Sequence, residues 1–347
     1  MNWKRLFKNR NNEHILLSLL KEIEAIRAHS AVLVLVPGTT GYNWMGVNRA
    51  SVALFPSQSV VLPHYYSHSV FSESEQNKLL DSIQLLQFEQ IIFSGFPAYF
   101  ASWMQQLKQQ TNQIALIYHG FFSELAGNSS QSALLYQIVE LHKNGILDKI
   151  AFNKKGMAES LQSLWGITAH KIILKTPELS RIEQKEPGIH IGVLGNDQFR
   201  KNLHNQVVAA SLVSNAVIHV TTDTSFPYLP PGRFVHHASG QSHSEFTNLL
   251  GSMRINLHVS YSESWGQLTT ESLAMGVPCL VAYHSDVFDF DDELKRKLVV
   301  PDYDNSWAIY KQICEVLSDQ SLPEKCIAYC EVLNIESEKS INRFLEA

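Results

Sequence analysis

The sequence predicts an α/β protein of two successive doubly wound domains. Three observations carry this. Short apolar runs rich in β-branched residues alternate with helix-period stretches along most of the chain, the alternation is interrupted once by a charged segment ending in Pro-Gly, and 347 residues suit two domains of roughly 150 each. Hydrophobic residues make up 45% of the chain and charged residues 18%, below the roughly 25% charge of ordinary globular chains, which excludes a disordered or fibrous chain. Lys and Arg total 28 against 33 for Asp and Glu, a net charge of −5. No bulk positive field is therefore available to hold a nucleic acid backbone.

The elements follow in order. Ile15, Leu16, Leu19, Leu20, Ile23 and Ile26 recur at helical spacing over 13–27. AVLVLV (31–36), ended by Pro37 and Gly38, reads as a buried parallel strand with a glycine-containing loop at its carboxyl end. Further strands are expected at 59–62, 91–95, 114–118, 149–152 and 171–175, and helices at 74–87, 98–109, 131–144 and 155–165. RIEQKEPG (181–188) has no apolar period and reads as a linker. A second series has strands at 189–194, 216–221, 234–237, 255–260, 278–283 and 298–300, with helices at 199–213, 243–252, 266–275 and 305–318. Residues 323–346 look helical and have no strand of their own to cover, so they are expected to pack back across the domains. This gives an N-terminal domain over 1–182, a second over 183–322 and a returning helical segment over 323–347. In open α/β sheets ligands sit beyond the carboxyl ends of the strands, so a central cleft lined by both domains is the expected site.

Lys4, Arg5, Lys8 and Arg10 concentrate positive charge in the first ten residues, with Trp3, Leu6 and Phe7 between them. Two readings fit: a short helix lying on an anionic membrane surface, and a frayed, solvated terminus. No apolar run approaches the ~20 residues of a membrane span, and no signal-peptide pattern opens the chain, so a cytoplasmic protein is expected, with peripheral contact at the inner membrane face through residues 1–10 as the alternative. Cys279, Cys314, Cys326 and Cys330 show no CxxC pairing, which argues against a disulfide framework and a structural zinc site. His64 with His68, and His236 with His237, lack a nearby third ligand and read as structural or surface residues. No metal site and no cofactor are expected.

The most informative stretch runs from Ser260 to Pro278. It follows a strand and opens a helix. Gly266 permits close backbone approach, and the first amides of the helix favour an anion. Glu271 leans toward the apolar face of that helix, between Leu268 and Met275. Two roles suit it equally: accepting from the paired hydroxyls of a ribose, and complementing the helix dipole.

These residues resemble the signature of the retaining glycosyltransferases of family 4, which have the GT-B fold. Ser260, Glu263, Ser264, Trp265, Gly266 and Glu271 fit its pattern in order, and Ala-Met-Gly-Val-Pro (274–278) matches its continuation. The resemblance implies that Glu271 holds the ribose of a nucleotide-sugar donor, while Glu263, Ser264, Trp265, Gly266 and Gln267 contact its sugar and diphosphate. IGVLGNDQFRKN (191–202) is similar to the segment with a basic pair for the diphosphate: Lys201 takes the lysine position, Asn196 stands where an arginine is usual, and Arg200 is the candidate replacement. Gly240 and Gln241 fall near the expected place of the base, UDP and GDP being the favoured nucleotides.

In the first domain IALIYHG (114–120) resembles the strand ending in a histidine that faces the donor sugar, so His119 joins Glu263, Lys201 and Arg200 as a candidate catalytic residue. Gly38 and Gly41 look like the loop near the diphosphate, and Trp44 and Arg49 are candidates for the acceptor or for packing. The implied reaction is metal-independent sugar transfer, with retention, to a glycan or lipid-linked acceptor, by association in bacterial surface polysaccharide synthesis. Two readings compete: a catalytically silent GT-B protein that binds a nucleotide sugar or glycan and supports a partner enzyme, and an epimerase, which the spacing of the two glutamates does not fit.

Overall fold

The computed structural model describes residues 3–38, 44–65, 68–109, 112–126, 129–179, 181–182, 187–238 and 241–347; the side chains of 3–11, 64–65, 68–69 and 129 fall outside the description. Gly41, Gly240, the side chains of the basic N-terminal segment and those of His64 and His68 therefore lie outside the described residues.

The chain forms two compact units, residues 1–172 with 340–347, and 173–339. In order, the first unit contains α1 (Trp3–Arg27), β1 (Val32–Pro37), α2 (Met45–Leu54), β2 (Ser59–Leu62), the short β3 (His64–Tyr65) and β4 (His68–Ser69), α3 (Glu73–Leu86), β5 (Gln90–Ser94), α4 (Phe100–Leu107), β6 (Gln113–Tyr118), α5 (Ser129–Lys143), β7 (Lys149–Phe152), α6 (Met157–Trp165) and β8 (Thr168–Lys171). Its sheet is six-stranded and parallel, in the order β2-β1-β5-β6-β7-β8. β5 and β7 are buried at every position, as a parallel sheet covered on both faces requires. Leu16, Leu19, Ile23 and Ile26 of α1 pack into the same core as Leu33 and Leu35 of β1, the helical periodicity read from the sequence.

The second unit contains β9 (Ile189–Val193), α7 (Leu203–Ser211), β10 (Ala216–Val220), β11 (Phe234–His236), α8 (His243–Ser252), β12 (Ile255–His258), α9 (Gln267–Ala274), β13 (Cys279–Ala282), α10 (Asp292–Leu298), β14 (Val299–Val300) and α11 (Ser306–Ser318). All six strands are parallel, in the order β11-β10-β9-β12-β13-β14. The strand order reverses between β9 and β12, and the loops leaving these two strands diverge there to make the crevice that doubly wound folds use for ligands. Gly192 of β9 registers with Asn256 of β12 at this point. Asn256 is fully buried and fixed by hydrogen bonds from its Nδ2 to Leu250 O (3.0 Å) and Ser272 Oγ (2.8 Å). A β-carbon on residue 192 would lie 2.1 Å from Asn256 Oδ1, so only glycine fits.

The structure departs from the sequence reading in places with identifiable causes. The strand expected at 171–175 is Thr168–Lys171; Ile172 N still donates to Phe152 O (2.8 Å), and from Ile173 the buried chain turns to α12 (Leu322–Glu346). Ile173 O accepts from Ser337 Oγ (2.7 Å), and Thr176 N donates to Asn334 Oδ1 (2.8 Å). The units therefore divide ten residues before the expected boundary at 182. The last residues of α12 belong to the first unit, where buried Lys149 of β7 donates to Leu345 O (3.1 Å), meeting a carbonyl that the end of a helix leaves open. The helix expected at 199–213 is a 3₁₀ turn over Phe199–Lys201 followed by α7, with Asn202 left-handed between them (φ 52°).

Gly192→Ala is expected to destabilise the protein by about 1–3 kcal/mol through overpacking against Asn256. Urea denaturation of the variant against wild type measures this.

Candidate donor site

The second unit brings the candidate residues Arg200, Lys201 and Glu263 together at the reversal between β9 and β12. Glu263 lies in the loop after β12 and is largely buried, its side chain 15% exposed. Three cationic or cation-capable groups meet its carboxylate: Lys201 Nζ on Oε1 at 2.5 Å, Arg200 Nη1 on Oε2 at 3.2 Å, and His258 Nε2 on Oε1 at 3.3 Å. Burial alone would push this carboxyl up. His258, Lys201 and Arg200 overcome it and hold the group well below the usual carboxylate range.

Backbone hydrogen bonds explain why these residues meet. Tyr261 N donates to Arg200 O (2.7 Å), and Val259 N donates to Gln206 Oε1 (2.8 Å). The Gln206 amide turns back onto Lys201 O (2.7 Å), while Asn202 Nδ2 reaches Val259 O (2.9 Å) and Tyr303 O (2.8 Å). The 3₁₀ turn and the Glu263 loop are thus tied together by backbone, and the ion pairs lie on top of that seam. Asn196, at the position where the resemblance calls for an arginine, is exposed and accepts only from Gln198 N (3.3 Å) among the bonds described. Arg200 is the guanidinium beside Glu263.

Gly266 caps α9 with φ 90°, and a β-carbon there would come within 3.1 Å of the His258 ring. The glycine is required by conformation and by space. Glu271, one turn into α9, is 3% exposed. Trp265 is buried, Ser264 and Gln267 are half-buried, and the buried Trp265 Nε1 and Ser260 Oγ have no hydrogen-bond partner among the described residues. Gln241 immediately precedes the Ser242 cap of α8, and its buried Oε1 is likewise unpartnered among them.

In the first unit His119 directly follows β6. Asn153 Nδ2 donates to its Nδ1 (3.3 Å), which makes Nε2 the protonated nitrogen; Nε2 donates to Ser94 Oγ (3.1 Å), Ser94 to Ser51 Oγ (2.6 Å), and Ser51 to Val47 O (2.6 Å). Both ring nitrogens are therefore engaged within this unit, and burial pushes the imidazole down to about 4. His119 is a neutral, oriented group. Gly38 N donates to Leu62 O (2.7 Å), extending the sheet. Trp44 packs its ring over Gly95, and half-buried Arg49 lies on α2.

His258 was not singled out by the sequence reading, because it ends an apolar strand and neither motif includes it. A histidine five residues before the first glutamate was the available signal. Among the described residues no three His, Cys, Asp or Glu side chains are grouped as a metal site needs, and no helix is long and apolar enough to cross a membrane.

No protein-family model matches the sequence, and no curated protein sequence does. Solved structures do. HepE of Anabaena, crystallised with UDP and glucose, superposes with a TM-score of 0.65 at 12% identity, covering 92% of this chain and 100% of that one. The fold is GT-B. Sucrose-phosphate synthase of Thermosynechococcus elongatus matches at TM-score 0.61 and 13% identity, over 91% and 99% of the two chains. A trehalose-6-phosphate synthase studied for glycosyl transfer with retention matches at 0.59 and 11%, over 92% and 99%. These neighbours are glycosyltransferases of the GT-B fold, and at such identities the similarity to this chain is one of fold.

The His119 ring gives a pH prediction. Its native value of about 4 lies below the ordinary 6.5, so between these values the native state binds fewer protons than the unfolded one. Its contribution, up to about 3 kcal/mol, is complete above pH 6.5 and is lost as pH falls toward 4. Urea denaturation at pH 7.0 and 4.5 should show a smaller loss of stability in His119→Gln than in wild type.

Proposed function

We propose that this protein is a retaining glycosyltransferase of the family 4 type, moving a sugar from a nucleotide-diphosphate donor to a glycan or lipid-linked acceptor. The observation that carries the reading is the convergence of Lys201, Arg200 and Glu263, from the loops after β9 and β12, at the strand-order reversal of a GT-B unit. Doubly wound sheets bind nucleotides at that point, and two cations beside a glycine-capped helix N-terminus suit a diphosphate. Buried Glu271 is offered to the ribose hydroxyls, where a carboxylate can accept from both. Gln241 stands near the base.

Such a reaction needs charge stabilisation on the departing diphosphate more than it needs a strong base. The bond from the anomeric carbon to the phosphate oxygen breaks, the acceptor oxygen bonds to that carbon on the same face, and the acceptor proton passes to the departing phosphate. Lys201, Arg200 and the first amides of α9 supply the compensating charge without a metal. Glu263 is assigned to orient these cations and the sugar. UDP or GDP is the proposed nucleotide. A role in surface polysaccharide synthesis, with contact to an anionic membrane through residues 1–10, fits the basic N-terminal segment.

Thermal unfolding with UDP, GDP, ADP, CMP and their sugar conjugates tests the reading. A ligand at about 100 times its Kd adds ~2.7 kcal/mol, a shift of a few degrees. One nucleotide family should shift wild type and not Glu271→Ala, and its sugar conjugate should be turned over. A shift without turnover would favour the silent binding protein, and no shift from any nucleotide would contradict the donor site.

A further inference from the structure

The carboxylate of Glu263 is held by partners of two kinds. Lys201 and Arg200 reach it on long side chains, 18% and 28% exposed, from a 3₁₀ turn. His258 reaches it from inside: its side chain is 9% exposed, it is rooted at the end of β12, and its Nδ1 meets Thr269 Oγ1 of α9 at 2.9 Å. Thr269 is fully buried and also accepts from Cys279 Sγ of β13 (3.8 Å), a thiol that burial pushes up to about 12 and so keeps neutral. Gly266 closes over the ring from the N-terminus of α9. The groups facing this imidazole are therefore Glu263, the Thr269 hydroxyl and, beyond it, the Cys279 thiol.

The contrast has a chemical consequence. A diphosphate in the donor site must draw Lys201 and Arg200 off Glu263, because each cation has limited capacity and the two anions compete for it. A largely buried carboxylate stripped of its partners is costly. Two lysine- and arginine-type partners can swing toward a ligand on their flexible stems. The imidazole, fixed by β12 and α9, cannot.

We propose that His258 is a positioning residue of the donor site, retaining the Glu263 carboxylate when a diphosphate takes Arg200 and Lys201 from it. The proposal rests on the donor-site reading above. Without His258 the carboxylate would depend on the two cations alone and would hold them against the incoming ligand, so diphosphate affinity would fall. Removing the charge of Glu263 would remove this competition.

A double-mutant cycle on the full chain tests it, with inorganic pyrophosphate and UDP as calorimetric probes. His258→Leu is expected to weaken binding about tenfold in the wild-type background and to have almost no effect in a Glu263→Gln background. His258→Gln, which keeps a donor toward Glu263, should stay within a fewfold of wild type and guards against a folding defect in the leucine variant. Equal weakening by His258→Leu in both backgrounds would show a merely structural role and overturn the proposal, as would unchanged affinity in the wild-type background. Lys201→Ala distinguishes failure of the donor site from failure of the His258 role. Undiminished binding in that variant would overturn the donor-site reading itself, whereas its loss together with a null cycle would overturn only the role of His258.

Discussion

A buried carboxylate that must stay ionised organises the second unit. Glu263 is largely out of water, and only the convergence of Lys201, Arg200 and His258 keeps it charged. That demand fixes the neighbouring structure. The 3₁₀ turn must lie against the loop after β12, which Asn202, Gln206 and the Arg200 carbonyl secure. Asn202 must turn through a left-handed conformation, so that the turn presents its cations before α7 begins. Gly266 must be glycine because His258 fills the space beside it. Even Gly192 belongs to the same logic, since the reversal of strand order that separates the two loops brings Asn256 hard against β9.

The first unit uses its histidine differently. His119 is wired through Ser94 and Ser51 to a backbone carbonyl and through Asn153 to a neighbouring strand end, so a low proton affinity and a single tautomer come together. It contributes orientation and polarity rather than charge. The two units thus hold opposite electrostatic arrangements at the carboxyl ends of their sheets: a neutral hydrogen-bonded chain in one, and a dense ion cluster in the other.

Much of this was legible in the sequence. The buried strands announced themselves as apolar runs because both faces of a parallel sheet are covered, and the periodicity of α1 matched the residues it buries. The stretch 260–278 stood out through its resemblance to the family 4 signature, whereas spacing alone left the ribose and helix-dipole roles of Glu271 equal. What was not legible depended on distant partners. The short helices α2 and α10 carry too few turns for a clear period, and the run after Ile172 looked like a strand because burial beside α12 and burial in a sheet leave the same composition. His258 was missed for a similar reason: it is a polar residue at the end of β12, and only the fold brings it to Glu263 and Thr269. Arg200 stood as a candidate replacement at Asn196, and the geometry puts it, not Asn196, beside the carboxylate.

In the proposed reaction the cations gathered on Glu263 are the ones that receive a nucleotide diphosphate. A crystal structure of the protein with bound UDP or GDP tests it most directly. Phosphate oxygens are expected within hydrogen-bond distance of Lys201 Nζ and Arg200, with the nucleoside over the loop after β12, its ribose on Glu271, and Glu263 still held by His258. A nucleotide bound elsewhere, with the Lys201–Glu263 and Arg200–Glu263 pairs intact, would contradict it.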